Sequence, residues 1–228
     1  MRQIVFDAGP IISLATNNLL FILKELKNQF DGVFLVSNSV IGELVDAPLK
    51  TRKFKFEALQ VLKLLRERTL IAAYSPQIDE ITVTLERLAN NIFHCHHHPI
   101  TILQRGELSS LALAIHRGAD AVVVDERITR ILIESPQSLV KIFERRLRTK
   151  VWVDRNTLDQ FSSLTRDVRI LRSTEIVAVA FEKGLLDQFL AQIPDARRVL
   201  LDALLWGLKL NGCAISEREI EKIEKAIL

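Results

Sequence analysis

Two aspartates each follow directly on a short apolar run of the sequence. Asp7 comes after IVF at 4–6, and Asp125 comes after AVVV at 121–124. If both runs are strands of one parallel sheet, the two carboxylates lie at the carboxyl ends of those strands, where open α/β sheets bind their ligands. Aspartate is also a common turn and cap residue, so either one alone fits a structural role as well. As a pair they predict an acidic crevice.

Two glutamates extend this acidic set. Glu43 lies among apolar neighbours in SNSVIGELV, and Glu107 opens the helical pattern of RGELSSLALAI. The helix dipole alone favours a glutamate in a first turn, and a solvated helix position would suit Glu43 equally well. Carboxylates brought close together need positive charge to stay ionised. A hard divalent cation such as Mg²⁺ takes oxygen ligands and can activate water for phosphodiester hydrolysis.

Alternating strands and helices must position these residues. Apolar spacing predicts helices that bury one face, and short apolar runs predict buried strands. The predicted strands are 4–6, 33–36, 70–75, 100–103 and 121–124, with 151–154 and 168–171 as further candidates; the predicted helices are 11–29, one carrying Ile41, Leu44 and Val45, 54–68, 79–92, 107–117, 195–210 and one capped by Ser216 and Glu219. This order predicts an α/β fold with a parallel sheet flanked by helices.

Composition excludes several classes of protein. The chain has 228 residues, of which 48% are hydrophobic and 26% charged, so it is not a disordered, collagen-like or coiled-coil chain. The net charge of +3 permits a nucleic-acid partner without arguing for one. No apolar stretch approaches the roughly 18 residues that span a membrane. Asp7 interrupts the apolar run at the N-terminus, so we do not expect a signal peptide there. Cys95 and Cys213 suggest no disulfide framework, so we expect a soluble cytoplasmic protein without a membrane partner.

Three segments in order resemble the PIN-domain family. They are VFDAGPIISLA, VSNSVIGELV and GELSSLALAIHRGADAVVVDERITR, and the third is the most specific. The resemblance implies a compact α/β nuclease that binds Mg²⁺ or Mn²⁺ and cleaves single-stranded RNA. It places Asp7, Glu43, Glu107 and Asp125 in the family's acidic, metal-binding set. The C-terminal segments STEIVAVAFEKGLL and LLDALLWGLKLNGCAISEREIEKI are similar to a prokaryotic subgroup related to VapC-type toxins. That likeness makes a toxin with a small antitoxin protein as partner an alternative.

The sequence departs from the family pattern at a few positions. Many PIN domains place Ser or Thr just after the first aspartate, where this chain has Ala8 and Gly9, so an assisting hydroxyl would come from elsewhere, with Ser13 as a candidate. Glu126 is the nearest candidate for a further acidic ligand. These departures keep open a catalytically inactive PIN-fold module that binds RNA or protein. A phosphatase of the haloacid-dehalogenase type is disfavoured, because it needs a second aspartate where Gly9 stands.

Basic residues supply candidate contacts to RNA phosphates. They occur in KTRKFKF (50–56), in ERRLRTK (144–150) and just after Asp125, and a solvated surface explains them about equally well. The candidates are Lys53, Lys55, Arg127, Arg130, Arg145, Arg146 and Arg148. The tract HCHHH, from His94 to His98, favours a solvated loop, because adjacent residues cannot all reach one ion; adventitious or regulatory metal binding is the alternative.

We predict a PIN-like domain over 1–172, with inserted segments at 46–100 and 134–167. A helical extension over 173–228 is expected to pack on the same domain. Its amphipathic helices predict packing against the sheet, with a homodimer contact as the alternative.

Overall fold

The computed structural model describes residues 1–228, and its centre is a five-stranded sheet. The strands are β1 (Arg2–Phe6), β2 (Gly32–Ser37), β3 (Leu70–Ala73), β6 (Ala121–Val123) and β8 (Ile170–Leu171). Their order is β3-β2-β1-β6-β8, and every neighbouring pair is parallel. The predicted α/β fold with a parallel sheet is confirmed.

Helices cover both faces of this sheet. They are α1 (Ala8–Thr16), α2 (Phe21–Phe30), α3 (Asn38–Ile41), α4 (Ala47–Leu49), α5 (Lys55–Arg66), α6 (Pro76–Ala89), α7 (Arg105–Arg117), α8 (Arg127–Glu134), α9 (Gln137–Leu147), α10 (Arg155–Thr165), α11 (Ser173–Glu182), α12 (Ala196–Leu210) and α13 (Glu217–Ile227). Alternate residues of a strand point to opposite faces. Accordingly, Ile4 and Phe6 of β1 join one apolar cluster, and Val5 joins the other.

A π-helical segment, Gly42–Asp46, joins α3 to α4. The sequence spacing predicts one ordinary helix here. Leu44 and Val45 of this segment are buried, as the apolar pattern requires, whereas Glu43 is exposed. Such π-helical turns are often found at functional sites.

Two sequence expectations differ from the structure. The predicted helix 11–29 divides into α1 and α2, with Asn18 at φ 57° between them. The predicted strand 100–103 is an irregular segment. The Asn90 side chain accepts hydrogen bonds from the backbone N–H groups of Ile102 (2.8 Å) and Leu103 (3.1 Å), so a side chain replaces the partner that a strand would need.

A small antiparallel sheet was not predicted, although the candidate strand 151–154 contains one of its three strands. It contains β4 (Phe93–Cys95), β5 (His98–Pro99) and β7 (Trp152–Val153), in the order β5-β4-β7. His96 and His97 form the two-residue turn of its hairpin, with φ values of 49° and 67°. Positive φ at both positions is typical of the tight turns that join antiparallel strands. The histidine tract is therefore the tip of a hairpin.

The C-terminal helices share the core of the sheet. Leu201, Leu205 and Leu208 of α12 and Ile220 of α13 are buried in the cluster that contains Phe6. The predicted capping box at the start of α13 is confirmed. The division at residue 172 stays a prediction. No helix of this chain combines the length and the apolar character needed to cross a membrane.

Candidate active site

Asp7 lies where β1 passes into α1, at the carboxyl edge of the sheet. Its backbone N–H donates to the carbonyl of Val123 at 3.0 Å, so strand pairing with β6 fixes its position. The side chain is only 6% exposed, and the Ser110 hydroxyl donates to its Oδ1 at 2.9 Å. Burial raises the pKa of Asp7 to about 6; the Glu43 charge adds to the rise, and the Ser110 hydrogen bond opposes it.

Glu43 extends from the π-helical segment toward the start of α7. A Cβ placed on Gly106 would overlap Oε1 of Glu43 and lie 3.0 Å from its Cδ. The glutamate carboxylate thus occupies space that only a glycine at position 106 leaves free. Although the residue as a whole is exposed, partial burial of its carboxylate raises the pKa of Glu43, and the charge of Glu107 raises it further.

Glu107 is half-buried in the first turn of α7. Its Oε2 accepts from the backbone N–H of Gln104 at 2.8 Å, and its Oε1 accepts from the Thr129 hydroxyl at 2.5 Å. Burial raises its pKa, and the charges of Asp7 and Glu126 act in the same direction, against the two hydrogen bonds. The three carboxylates at 7, 43 and 107 therefore interact electrostatically.

Glu126 and Thr129 form the other side of this cluster. Glu126 is exposed and caps α8, because its Oε2 accepts from the backbone N–H of Thr129 at 2.9 Å. The hydroxyl of the fully buried Thr129 binds Glu107. Thr129 therefore connects two acidic residues, Glu107 and Glu126.

Asp125 is placed differently from the other acidic residues. Its Oδ2 accepts from the hydroxyls of Ser13 (2.7 Å) and Ser173 (2.8 Å), and its Oδ1 accepts from the backbone N–H of Ser173 (2.8 Å). Its carbonyl accepts from the N–H of Ala214 at 3.0 Å. Asp125 is 3% exposed, so its carboxylate holds α1 and α11 together at the end of β6. Ser13, the candidate assisting hydroxyl, binds this aspartate.

The donor set of the cluster fits a hard divalent cation. No Lys, Arg or His forms an ion pair with Asp7, Glu43, Glu107 or Glu126. Burial and the neighbouring carboxylates raise the pKa values of Asp7, Glu43 and Glu107, and no positive charge of the protein offsets this. Carboxylate oxygens are the ligands that Mg²⁺ prefers. No three acidic, histidine or cysteine side chains stand close enough to chelate an ion in this conformation, so binding would require side-chain rotation.

The candidate RNA-contact residues fall into two groups. Arg130 is half-buried and pairs with Glu219 at 3.4 Å and with Glu134 at 3.9 Å. The others are exposed and form no ion pair; they are Lys53, Lys55, Arg127, Arg145, Arg146 and Arg148. Arg127 follows Glu126 directly, and the last three residues lie at the end of α9.

Sequence reasoning missed the two hydroxyls that hold the carboxylates. Ser110 follows Glu107 by three residues on α7, so both lie on one side of the helix. Thr129 follows the cap residue Glu126 by three residues, which is the usual spacing of an N-cap and its partner. A hydroxyl residue three positions after an acidic residue was therefore a sequence signal that could have indicated both Ser110 and Thr129.

Comparison with known proteins gives one family. The family model DUF3368, described as a PIN domain, matches residues 3–135. This range contains all five acidic residues of the predicted set. Searches of curated proteins and of solved structures gave no significant match.

Proposed function

Because the chain belongs to the PIN-domain family, whose general activity is that of a nuclease, we propose that it is a divalent-metal-dependent endonuclease that hydrolyses phosphodiester bonds of single-stranded RNA. The observation that carries this proposal is the cluster of Asp7, Glu43 and Glu107 at the carboxyl edge of the sheet. Their pKa values are raised and no cation of the protein pairs with them.

In this proposal Asp7, Glu43 and Glu107 hold Mg²⁺ or Mn²⁺, with Glu126 as a further ligand. Such an ion lowers the pKa of water and stabilises the charge that develops on the phosphate. The hydroxyls of Ser110 and Thr129 orient the carboxylates of Asp7 and Glu107. No side chain is proposed to act as nucleophile.

Asp125 was predicted as a fourth ligand. We propose that it acts here as a positioning residue, because three donors from α1 and α11 bind its buried carboxylate and link these helices to the end of β6. It holds α1, which begins next to Asp7, at a fixed place relative to β6. A role as ligand would require release of Ser13 or Ser173.

The proposed RNA substrate is supported by the exposed, unpaired cations. Arg127 lies beside Glu126 and is suited to contact a phosphate next to the scissile bond. The exposed Lys53 and Lys55 precede and begin α5, which packs on the π-helical segment that carries Glu43. A toxin role with an antitoxin partner stays a prediction.

The test compares cleavage of end-labelled single-stranded RNA by the wild type, Asp7→Asn and Glu107→Gln, with Mn²⁺ and with EDTA. Asp79→Asn, an exposed change on α6, is the matched control. We expect cleavage by the wild type and the control that is absent in EDTA and in both site variants. Equal cleavage by the wild type and Asp7→Asn would contradict the proposal. RNA binding without cleavage under any metal would favour the inactive binding module instead.

A further inference from the structure

An apolar pocket opens directly beside the acidic cluster. It lies between α1, the π-helical segment and α5. Its apolar walls include Ile12, Leu44, Pro48 and Phe54, and Glu43 forms part of its lining. We call it the α1–α5 pocket. A ligand bound in this pocket would therefore contact or lie next to Glu43 of the acidic cluster.

Phe54 presents an aromatic ring in this pocket at a conformational cost. The residue has φ 61°, a left-handed backbone conformation that is unfavourable for a bulky side chain. Strained positions of this kind cluster at ligand-binding sites. The ring is 43% exposed, although its neighbours in the pocket include the fully buried Ile11. Part of this aromatic residue is thus open to solvent beside the pocket.

The segment that carries Phe54 is strongly basic. Lys50, Arg52, Lys53 and Lys55 are all exposed, and none of them forms an ion pair. The Lys53 ammonium lies 4.7 Å from the centre of the Phe54 ring. An occupant suited to this place combines a flat apolar face with nearby negative charge.

We propose that the α1–α5 pocket binds one unpaired nucleobase of the RNA strand, stacked on Phe54, while the neighbouring phosphates contact the lysines at 53 and 55. Stacking of a base on an aromatic ring together with phosphate neutralisation is the usual way to hold a single strand. The inference rests on the proposed function, and it adds a base-stacking subsite next to Glu43. An apolar side chain of a protein partner would fill the pocket but would not by itself use the four unpaired cations.

The test measures binding of fluorescently labelled single-stranded RNA to the full chain in EDTA, so that no cleavage is needed. Phe54→Leu keeps an apolar side chain but removes the ring. Phe54→Tyr keeps the ring. Phe56→Leu changes a 67% exposed phenylalanine that does not line the pocket. We expect the Kd to rise roughly 5- to 150-fold for Phe54→Leu. It should stay near the wild-type value for Phe54→Tyr and Phe56→Leu. Melting temperatures check that all variants are folded.

A second arm uses RNA with a single abasic site moved along the strand. The wild type should lose affinity at one position, and Phe54→Leu should show no further loss there. Equal affinity of the wild type and Phe54→Leu, or an equal loss with Phe56→Leu, would overturn the proposal and leave the pocket to a protein partner. The two proposals can fail separately. If the wild type binds RNA through Phe54 but shows no metal-dependent cleavage, the nuclease proposal fails and the base-binding proposal stands.

Discussion

Replacing Asp7 with asparagine should stabilise the metal-free protein at neutral pH. The change removes one buried negative charge and keeps both the side-chain shape and an oxygen that can accept from Ser110. Burial raises the pKa of Asp7 from 3.8 to about 6. At about 1.4 kcal/mol per pKa unit, ionisation of Asp7 costs the folded state about 3 kcal/mol.

The sign of the pH dependence follows from this direction. Because the pKa is higher in the folded protein, the folded state binds more protons than the unfolded state between pH 3.8 and about 6. The contribution of Asp7 to the unfolding free energy is therefore most favourable below that range and declines as the pH rises through it. Asp7→Asn lacks this decline. At pH 7.5 its melting temperature should exceed that of the wild type by roughly 6–12 °C, at roughly 2–4 °C per kcal/mol.

The assay is thermal unfolding in EDTA at pH 7.5 and pH 4, repeated at pH 7.5 with Mn²⁺. An ion present at 100 times its Kd stabilises the folded protein by about 2.7 kcal/mol, so Mn²⁺ should raise the wild type toward the variant and affect the variant little. Asp79→Asn, which changes an exposed carboxylate, controls for loss of a charge as such. A variant less stable than the wild type in EDTA at pH 7.5, or an advantage undiminished at pH 4, would refute the reasoning.

Three further substitutions test the supports of the cluster. Gly106→Ala should displace the Glu43 carboxylate and slow cleavage roughly 100-fold, with the unfolding free energy changed by less than about 1 kcal/mol; single-turnover kinetics and urea unfolding measure the two effects. Thr129→Val removes the hydroxyl that binds Glu107, and should lower both stability, by about 1 kcal/mol, and the cleavage rate; an unchanged rate would count against an orienting role. Asp125→Ala leaves three buried serine donors without their acceptor, so urea unfolding should show a loss of about 3 kcal/mol or more; a loss below 1 kcal/mol would contradict its positioning role.

The acidic edge of the sheet was predictable because its signals are local. Asp7 and Asp125 each follow a buried apolar run, and a parallel sheet brings the ends of β1 and β6 to one edge. Glu107 opens a helix whose apolar face is regular. The alternation of strands and helices was enough to give the fold class.

Other features depend on contacts between residues that lie far apart in the chain. The Asp125 carboxylate accepts a hydrogen bond from Ser173, which lies 48 residues away, and no pattern around Asp125 indicates that partner. The segment 100–103 has the composition of a strand, but Asn90 supplies its hydrogen bonds. The short strands β4, β5 and β7 contain too few residues to show a period, so their pairing could not be predicted from the sequence.

The π-helical segment 42–46 lets neighbouring residues of one helical stretch point in directions that a regular α-helix would not allow. In an α-helix each residue advances by about 100°, so one added residue rotates everything after it by that amount. The wider turn keeps Leu44 and Val45 in the core while the Glu43 carboxylate lies against Gly106. Deleting one residue between 42 and 46 would restore the α-helical phase, so that either the apolar pair or Glu43 would turn away from its present place.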